Sequence, residues 1–312
     1  MTDLHTLANA ISDQSPAIKT FALAVADKLE PVTPPAPSGK LWGISPSNDP
    51  YTVAISTQMT DFVLLNASCP RIPGDDATAT AARAANVKHW FAWLGKSTTP
   101  AQAVAYAQKY PEAIGVGVGN ELNLGAGWTT KQVAAMQANL YAAMDAAGFA
   151  NRVLLSSVGN SKSEAEGLLP LDWCKALASL GCVKGKGFAI ADYHMYAANP
   201  QNYDNWMHVW TPFNGASCQS VFGNPPFIIS EFGAKIGKDV PANTADHPTQ
   251  GDDAQAAAVT AWVAKLKSLP DCMGGALFQD YEGTDARWTG YGLHDSSGNR
   301  RPSWQAYKSA IA

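Results

Sequence analysis

The sequence predicts a (β/α)8 barrel, a TIM barrel of the α/β class, from the order and character of its apolar segments. Eight short apolar runs alternate with amphipathic stretches of helical length, and the runs are largely apolar on both faces, as buried parallel strands are. The predicted strands cover residues 41–45, 61–66, 87–93, 114–120, 152–158, 188–194, 227–231 and 274–280. The helices are predicted at 78–85, 100–109, 129–147, 163–180, 252–269 and 302–311.

Local signals support these boundaries. Thr129 and Asp252 are suitable residues for helix starts, and Gly148 is a suitable stop directly after the helix predicted at 129–147. A doubly wound open sheet would show the same alternation. However, Gly115 and Gly119 lie within a predicted strand and not at its turn into a helix, so they form no dinucleotide-binding fingerprint. These small residues are expected to make room for neighbouring side chains inside a barrel.

The first forty residues are predicted to lie outside the barrel. Residues 1–29 carry apolar side chains at roughly helical spacing and predict a short N-terminal helical segment, broken near Pro16. Residues 30–40, EPVTPPAPSGK, contain four prolines and predict a stiff linker. The barrel is then residues 41–312. The N-terminal segment is a candidate for self-association or tethering, and the alternative is that it packs along the barrel.

The composition argues against several classes of protein. With 46% hydrophobic and 15% charged residues, the chain resembles an ordinary globular protein. A net charge of −4 gives no broad reason to bind nucleic acid or an anionic membrane. No apolar run approaches membrane-spanning length, and the first residues lack the features of a secretory signal. The expected location stays open between the cytoplasm, release by lysis and a virion.

The cysteines indicate neither a disulfide framework nor a zinc site. Their number, five, is odd, and none has the spacing of metal ligands. Cys174 and Cys182 are close enough in sequence to pair. A metal-dependent hydrolase or deacetylase on the same barrel would need clustered His and Asp ligands at strand ends. Of the six histidines only His194 clearly lies at such an end, so we predict no metal and no cofactor.

Polar and ionisable residues collect at the ends of the predicted strands, where barrels of this type carry their catalytic groups. The fourth predicted strand leads into Asn120 and Glu121. The sixth contains the stretch DYHMY with His194 and Tyr196, and the seventh ends at Glu231. Strands four and seven face each other across an eight-stranded barrel, so the two glutamates are expected to flank a bound ligand.

Two facing carboxylates suit the cleavage of a glycosidic bond. One protonates the departing oxygen, and the other attacks the anomeric carbon or activates water. A separation of about 5 Å predicts retention of configuration, and a wider gap predicts inversion. The alternatives are that Glu121 and Glu231 form ion pairs at the rim, or that Asp280 and Glu282 are the reacting carboxylates.

The motifs GNE, HMY and SEFG, on the fourth, sixth and seventh predicted strands, resemble those of the clan A retaining glycoside hydrolases, such as families 5 and 39. The resemblance covers the chain from about residue 41 onwards. It implies a (β/α)8 barrel, a double-displacement mechanism and a polysaccharide or oligosaccharide substrate. A β-glucan or mannan is the default substrate, and a bacterial cell-envelope glycan is the alternative.

The resemblance also implies roles for individual residues. Glu121 would be the acid/base and Glu231 the nucleophile, while Asn120 would hydrogen-bond the 2-hydroxyl of the sugar. Arg71, in the stretch PRIPG, would pair with the nucleophile and keep it ionised, because a neighbouring cation lowers the pKa of a carboxyl group. The alternative for Arg71 is that it caps its own loop.

Aromatic residues and a histidine complete the predicted site. His194 and Tyr196 would line it and steady the nucleophile, although His194 could also be purely structural. Trp93, at the rim end of the third predicted strand, is the predicted sugar-stacking residue. The family places a tryptophan at the end of strand eight beneath the reacting sugar. This sequence departs from that pattern, and Tyr281 or Trp288 is the expected substitute.

One rival hypothesis is not enzymatic. The chain could be a carbohydrate-binding or structural barrel of a larger assembly such as a virion, with the N-terminal segment as its tether. Such a module has no chemical need for both glutamates and Asn120 together. Activity measurements on the wild type and on a Glu231 variant separate the two hypotheses.

Overall fold

The computed structural model describes residues 39–46, 53–65, 67, 70–124, 127–236, 251–282 and 289–312. The predicted N-terminal helical segment and most of the predicted linker lie outside these residues. None of the described helices is both long enough and apolar enough to cross a membrane. Cys174 and Cys182 are separate, buried thiols, so the pairing that their spacing permits is not formed.

The described residues contain seven strands in two parallel sheets, with the orders β1-β7-β6-β5 and β2-β3-β4. Isolated parallel bridges join Val116 to Val153, Leu154 to Ile190 and Val158 to Tyr193. Residues 153–158 therefore lie between β4 and β5, where the sequence predicts the fifth strand. The strands are β1 (Leu41–Ser45), β2 (Arg71–Pro73), β3 (Trp90–Leu94), β4 (Ala113–Val118), β5 (Ala191–Tyr196), β6 (Phe227–Gly233) and β7 (Cys272–Phe278).

Helices separate the strands, as the alternation predicts. Capping boxes at Thr99 and Thr129 start the helices Pro100–Lys109 and Thr130–Ala146, and Gly148, with φ of +84°, follows the end of the second of these helices. The prediction at 163–180 is too long, since its helix begins only at Pro170. The helices are α1 (Ile55–Leu64), α2 (Asp76–Ala84), α3 (Pro100–Lys109), α4 (Thr130–Ala146), α5 (Pro170–Ser179), α6 (Pro200–Met207), α7 (Cys218–Val221), α8 (Asp252–Ser268) and α9 (Pro302–Ile311).

The strand predicted at 61–66 is wrong. Residues 61–64 are instead the last part of helix α1, which buries Met59 and Phe62 at helical spacing and leaves Val63 and Leu64 exposed. A short apolar run fits a strand or a helix equally well, and the pairing partner that decides is not visible in the sequence. The second strand is instead β2, three residues long, so Arg71 lies on a strand and not in the loop after the second predicted strand, where the sequence predicts it.

An apolar cluster lies between the two sheets. One buried cluster contains Leu41 of β1, Phe91 and Trp93 of β3, and Ile228 of β6. It also contains Leu154, from residues 153–158, and Ile190, just before β5. Strands of both sheets therefore turn side chains towards a shared interior. The glycines of β4 make this possible: a Cβ atom on Gly115 would overlap the Phe91 ring and lie 3.0 Å from Leu154. The prediction that small residues make room for neighbours is confirmed here.

Candidate active site

Glu121 lies in a turn directly after β4. The strand ends at Val118, and Gly119 and Glu121 both have positive φ values, +78° and +45°. For a non-glycine residue this conformation costs about 1–3 kcal/mol, and it persists where the surroundings hold it. A hydrogen bond from the Leu124 N–H to the Glu121 carbonyl, 2.8 Å long, closes the turn. This turn places the Glu121 carboxylate 3.0 Å from His194 Nδ1.

Gly159 provides the space for this carboxylate. A Cβ atom at residue 159 would lie 2.7 Å from Glu121 Oε1, closer than real Cβ contacts. The side-chain amide of Asn123 holds Gly159 in place, because it accepts from the Gly159 N–H at 2.9 Å and donates to the Gly159 carbonyl at 3.1 Å. Sequence reasoning missed both residues. The signal was a glycine directly after the predicted fifth strand.

Glu231 lies within β6 and is buried between two cationic groups and a tyrosine. Arg71 Nη1 is 2.6 Å from Glu231 Oε1, and the Tyr196 hydroxyl donates a hydrogen bond to Oε2. Burial alone would raise the pKa of Glu231, but Arg71, His194 and the Tyr196 hydrogen bond together hold it below its ordinary value. Burial also raises the pKa of Tyr196 well above normal, so its hydroxyl stays a donor.

His194 lies between the two glutamates. Its Nδ1 atom is 3.0 Å from Glu121 Oε1 and 3.3 Å from Glu231 Oε2, although neither oxygen is well aligned with the ring N–H. Both distances start from one nitrogen, so the two oxygens can lie no more than about 6 Å apart. Burial lowers the pKa of His194, but the two carboxylates outweigh it and the pKa is raised. The ring therefore holds its second proton more readily than a free imidazole does.

Arg71 joins the nucleophile candidate to Asn120 and to β1. Its Nη2 atom donates to Asn120 Oδ1, and its Nη1 atom lies 3.4 Å from Ser45 Oγ. The guanidinium carbon lies 4.5 Å from the centre of the Trp93 ring. Arg71 was predicted to pair with Glu231, and it is within ion-pair distance of it.

Trp93 is placed differently from its predicted role. Its ring is only 7% exposed, belongs to the apolar cluster between the sheets and is covered by Arg71. A sugar needs an open aromatic face, so this position suits support of Arg71 better than stacking against a substrate. The strand was assigned correctly, but the arginine above the ring is supplied by a different strand, β2.

Tyr281 belongs to a second cluster, built from residues before and after β7. Its hydroxyl donates to Asp61 Oδ2 at 2.5 Å, and its ring stacks on His294 with 4.1 Å between centroids. Neither contact is with Glu121 or Glu231. The predicted role of Tyr281 beneath the reacting sugar is therefore not supported by its contacts.

The two rival carboxylates are also engaged elsewhere. Asp280 lies 3.1 Å from His294 Nδ1, and burial raises the pKa of Asp280 to about 6. Glu282 pairs with Arg301 at 2.6 Å. Ligand atoms of Asp61, Asp280 and His294 lie within 4.8 Å of one another, a spacing that a metal ion could use. The Asp61 carboxylate already has a cationic partner, since it lies 2.9 Å from the guanidinium of Arg300.

An exposed tryptophan lies close to the Glu121 turn. Trp206, in α6, is 45% exposed, and its indole N–H donates to the Asn160 carbonyl at 3.0 Å. Asn160 follows Gly159, at which an added Cβ atom would lie 2.7 Å from Glu121 Oε1. Sequence reasoning missed Trp206. The signal was the aromatic-rich stretch WMHVWTPF after β5.

Comparisons with known proteins identify the fold. No protein-family model matches the sequence, and no curated protein matches it either. A family 128 (subgroup II) endo-β-1,3-glucanase from Pseudomonas viridiflava matches with a TM-score of 0.62 at 16% identity, over 86% of this chain and 97% of that one. A family 128 (subgroup I) enzyme from Amycolatopsis mediterranei, in complex with laminaritriose, matches at 0.56 and 16%, over 87% and 100%. The chain has the fold of these hydrolases.

A third similar structure is the family 2 β-galacturonidase from Eisenbergiella tayi bound to galacturonate, with a TM-score of 0.57 and 14% identity. The match covers 87% of this chain, which spans about half the length of that enzyme (50%). Identities this low show a shared fold and no more. The resemblance to families 5 and 39 is not confirmed by these three structures, which belong to families 128 and 2.

Proposed function

We propose that the protein is a glycoside hydrolase that cleaves a β-linked glucan, with Glu231 as nucleophile and Glu121 as acid/base. One observation carries the proposal: two carboxylates, one from the turn after β4 and one from β6, approach the same imidazole nitrogen, at 3.0 Å and 3.3 Å. One of the two is buried beside an arginine that favours its anion, and the other is partly open, with 21% of its side chain exposed. This asymmetry suits two different roles.

The separation of the carboxylates favours retention. Retaining enzymes have carboxyl groups about 5–5.5 Å apart, and inverting enzymes leave about 6.5–9.5 Å for a water molecule. The limit of about 6 Å applies to the two oxygens that face His194, and carboxylates that approach this closely suit the retaining arrangement better than the inverting one. We therefore assign a double displacement to this site.

The first step forms a bond between Glu231 and the anomeric carbon while the glycosidic bond breaks. Glu121 gives its proton to the departing oxygen, and the electron pair of the broken bond stays on that oxygen. In the second step Glu121, now a carboxylate, takes a proton from water. The water oxygen attacks the anomeric carbon and releases the Glu231 carboxylate.

The neighbouring residues prepare the nucleophile and orient the sugar. Arg71 and Tyr196 each bind one oxygen of Glu231, which fixes the carboxylate in one orientation. Asn120 is exposed, and its amide oxygen accepts from Arg71. Its NH2 group is then left to donate to the 2-hydroxyl of a sugar, a contact that strengthens in the transition state.

The glucan assignment comes from the similar structures and from the rim. Two of them are endo-β-1,3-glucanases, one in complex with laminaritriose. Trp206 offers an exposed aromatic face on the Glu121 side, which suits the apolar face of a glucose unit beyond the cleaved bond. β-1,3-Glucan is therefore the first substrate to test, before mannan and bacterial cell-envelope glycans.

We also propose that the strands close into the (β/α)8 barrel. Support comes from residues 153–158, which bridge β4 and β5, and from the packing of β1 against β2 at the remaining edges. The contact between Ser45 of β1 and Arg71 of β2 joins those two edges at the site itself.

The decisive experiment measures reducing ends released from β-1,3-glucan, β-mannan and peptidoglycan by the wild type and by Glu231→Gln. Proton NMR of the fresh product then reads the anomeric configuration, and mass spectrometry after reaction with an activated 2-fluoro glycoside reads a covalent adduct on Glu231. Release by the wild type alone, with retention, supports the proposal. Binding of a glycan without turnover would favour the non-catalytic alternative, and inversion would remove Glu231 as nucleophile.

A further inference from the structure

A series of buried hydrogen bonds, called here the hydrogen-bonded chain, links Trp93 to Asp192. The indole Nε1 of Trp93 donates to Ser157 Oγ at 2.9 Å, and the Ser157 hydroxyl donates to Asp192 Oδ2. The backbone N–H of Ser230 donates to the other carboxylate oxygen, Asp192 Oδ1, at 3.2 Å. These four residues are all buried, and Asp192 and Ser230 have no exposed surface.

The direction of this chain follows from the chemistry of its members. An indole nitrogen only donates, so the Ser157 oxygen accepts from Trp93 and its single proton is directed to Asp192. Both oxygens of Asp192 are therefore acceptors. An amide at this position would have one accepting oxygen and one NH2 group. It would leave either the Ser157 hydroxyl or the Ser230 N–H facing another donor in a buried setting, which is costly.

One end of the chain leads to the cation beside the nucleophile. The Trp93 ring, oriented by its bond to Ser157, lies 4.5 Å beneath the Arg71 guanidinium. A cation over an aromatic face is attracted by the ring quadrupole, and the attraction grows when the pair is desolvated. Arg71 is in turn 2.6 Å from Glu231. A change in the tilt of the ring would therefore change the position of the arginine.

The other end of the chain leads to the imidazole between the glutamates. Asp192 Oδ2 lies 4.0 Å from His194 Nε2. Ser230, whose N–H binds Asp192, also contacts the same ring nitrogen through its hydroxyl at 3.1 Å. Asp192 thus contacts Ser157, which binds the indole of Trp93 beneath Arg71, and Ser230, which contacts His194.

We propose that Asp192 and Ser157 are positioning residues for the Trp93 ring. Through that ring they hold Arg71 in the orientation that pairs with Glu231 and favours its anion. This inference rests on the proposed function, because it gives Glu231 the role of nucleophile. Neither Asp192 nor Ser157 touches the reacting atoms in this mechanism.

The first test is the pH profile of kcat/KM on β-1,3-glucan for the wild type and Ser157→Ala. Without the hydroxyl the indole is no longer held, the pairing of Arg71 with Glu231 weakens, and the pKa of Glu231 rises. The acid limb of the profile should then move to higher pH by about half a unit. A neighbouring arginine lowers the pKa of a carboxyl group by about one to three units, and the lost hydrogen bond removes only part of this effect. Ser156→Ala is the matched control, since that hydroxyl contacts the Gly119 carbonyl instead. An unmoved acid limb in Ser157→Ala overturns the inference.

A double-mutant cycle separates positioning from a general loss of packing. Trp93→Phe keeps an aromatic ring but removes the N–H group. In that background Ser157→Ala should move the acid limb no further, because the bond that it would remove is already absent. Shifts that simply add would mean that Ser157 acts independently of the indole, and the inference would be wrong.

A third measurement needs no activity. The indole N–H resonance of Trp93 in a 1H–15N NMR spectrum is assigned by its loss in Trp93→Phe. Asp192 is two hydrogen bonds away from the Trp93 indole, so Asp192→Asn should shift this resonance and speed the exchange of the N–H proton with solvent. In a protein that already carries Ser157→Ala, Asp192→Asn should have no further effect on the resonance. If Asp192→Asn does not fold, Ser157→Ala against Ser156→Ala gives the same readout.

The two proposals fail in different ways. A wild type that is inactive on every glycan, with the resonance responding as described, overturns the proposed function and supports the hydrogen-bonded chain. A resonance that does not respond to Asp192→Asn or Ser157→Ala overturns the positioning role, whatever the activity.

Discussion

The cluster around Glu231 and the cluster around Asp61 each contain two carboxylates, a histidine, an arginine and a tyrosine. The first consists of Glu121, Glu231, His194, Arg71 and Tyr196, and the second of Asp61, Asp280, His294, Arg300 and Tyr281. In the first cluster a carboxylate is more exposed than the arginine, since 21% of the Glu121 side chain is exposed and 13% of the Arg71 side chain. In the second, Arg300 is 46% exposed and the carboxylates 6% and 2%. Composition alone does not distinguish a reactive site from a structural one, whereas the accessibility of the carboxylate does.

The electrostatics of the clusters differ in the same sense. In the first, an inner arginine 2.6 Å away lowers the pKa of Glu231 despite its burial. In the second, the arginine contacts Asp61, and burial raises the pKa of Asp280 to about 6 although His294 is its neighbour. A buried carboxyl without its own strong cation tends towards its neutral form. The first cluster thus favours the anion of Glu231, and the second disfavours the anion of Asp280.

The largest expected effect is the loss of turnover in Glu231→Gln. Removing the nucleophile should reduce kcat on the order of 10⁴-fold or more, as for other covalent catalysts. Asp61→Asn is the matched change in the second cluster, and its kcat should stay within a few-fold of the wild type. Reducing-end assays of both variants, with circular dichroism as a fold check, make the comparison. Equal losses in both would mean that the two clusters do not differ in function.

Glu121→Ala should lose about 10²–10⁴-fold with substrates whose leaving group needs protonation, since that is what a general acid contributes. Aryl glycosides with good leaving groups should lose much less in the first step. Azide should restore turnover and give a glycosyl azide of retained configuration, because the space left by the side chain admits a small anion. Losses that are the same for good and poor leaving groups would count against the acid/base role.

The clusters should respond to pH with opposite signs. Asp280 has a folded pKa of about 6 against an ordinary 3.8, so its protonated form stabilises the fold at low pH, and about 3 kcal/mol is lost as the pH rises from 4 to above 6. Glu231 has a lowered folded pKa, so its contribution is present above its unfolded pKa and is lost as the pH falls through the folded value.

Urea unfolding of the wild type, Asp280→Asn and Glu231→Gln between pH 3 and 8 measures both terms. Relative to the wild type, Asp280→Asn should become more stable as the pH rises through 6. Glu231→Gln should instead become relatively more stable as the pH falls below about 4. Curves that run parallel for either variant would contradict the corresponding assignment.

The smallest expected effect concerns the rim. Trp206→Ala should raise KM for long β-1,3-glucan chains by about 5-fold, which matches the loss of roughly 1 kcal/mol from one stacked aromatic face. Hydrolysis of an aryl glucoside should change much less, because its leaving group carries no glucose unit that would stack on the indole. Phe213→Ala, an exposed aromatic further along the same stretch, is the matched control. Equal effects on both substrates would exclude a role specific to the chain beyond the cleaved bond.

Sequence reasoning placed Asn120 and Glu121 correctly just after β4, because parallel strands bring their C-terminal ends to one edge. It placed His194 and Glu231 on the right strands, but β5 and β6 each continue two residues beyond them. Arg71 was predicted in the right contact but on the wrong element. The apolar run at 61–66 is ambiguous between strand and helix, and the true strand, Arg71–Pro73, is too short to show a pattern.

The misplaced aromatics have a different cause. The sequence assigns Trp93 and Tyr281 to strand ends, but their surroundings are set by residues far away in the chain. Arg71 covers the Trp93 ring, while Asp61 and His294 engage Tyr281. Such long-range pairs have no local signature. Sequence reasoning missed Trp206 because its helix lies in a loop region whose path near Glu121 is not readable from the sequence.

The absence of a side chain at residue 159 has a consequence for engineering this protein. Replacing a loop glycine with alanine commonly stabilises a protein by about 0.4–1 kcal/mol, because the unfolded chain loses freedom. At Gly159 the added methyl group would fall 2.7 Å from the Glu121 carboxylate and 2.5 Å from Leu124. A screen for thermostable variants would therefore meet a conflict at this position between a more rigid loop and a correctly placed proton donor.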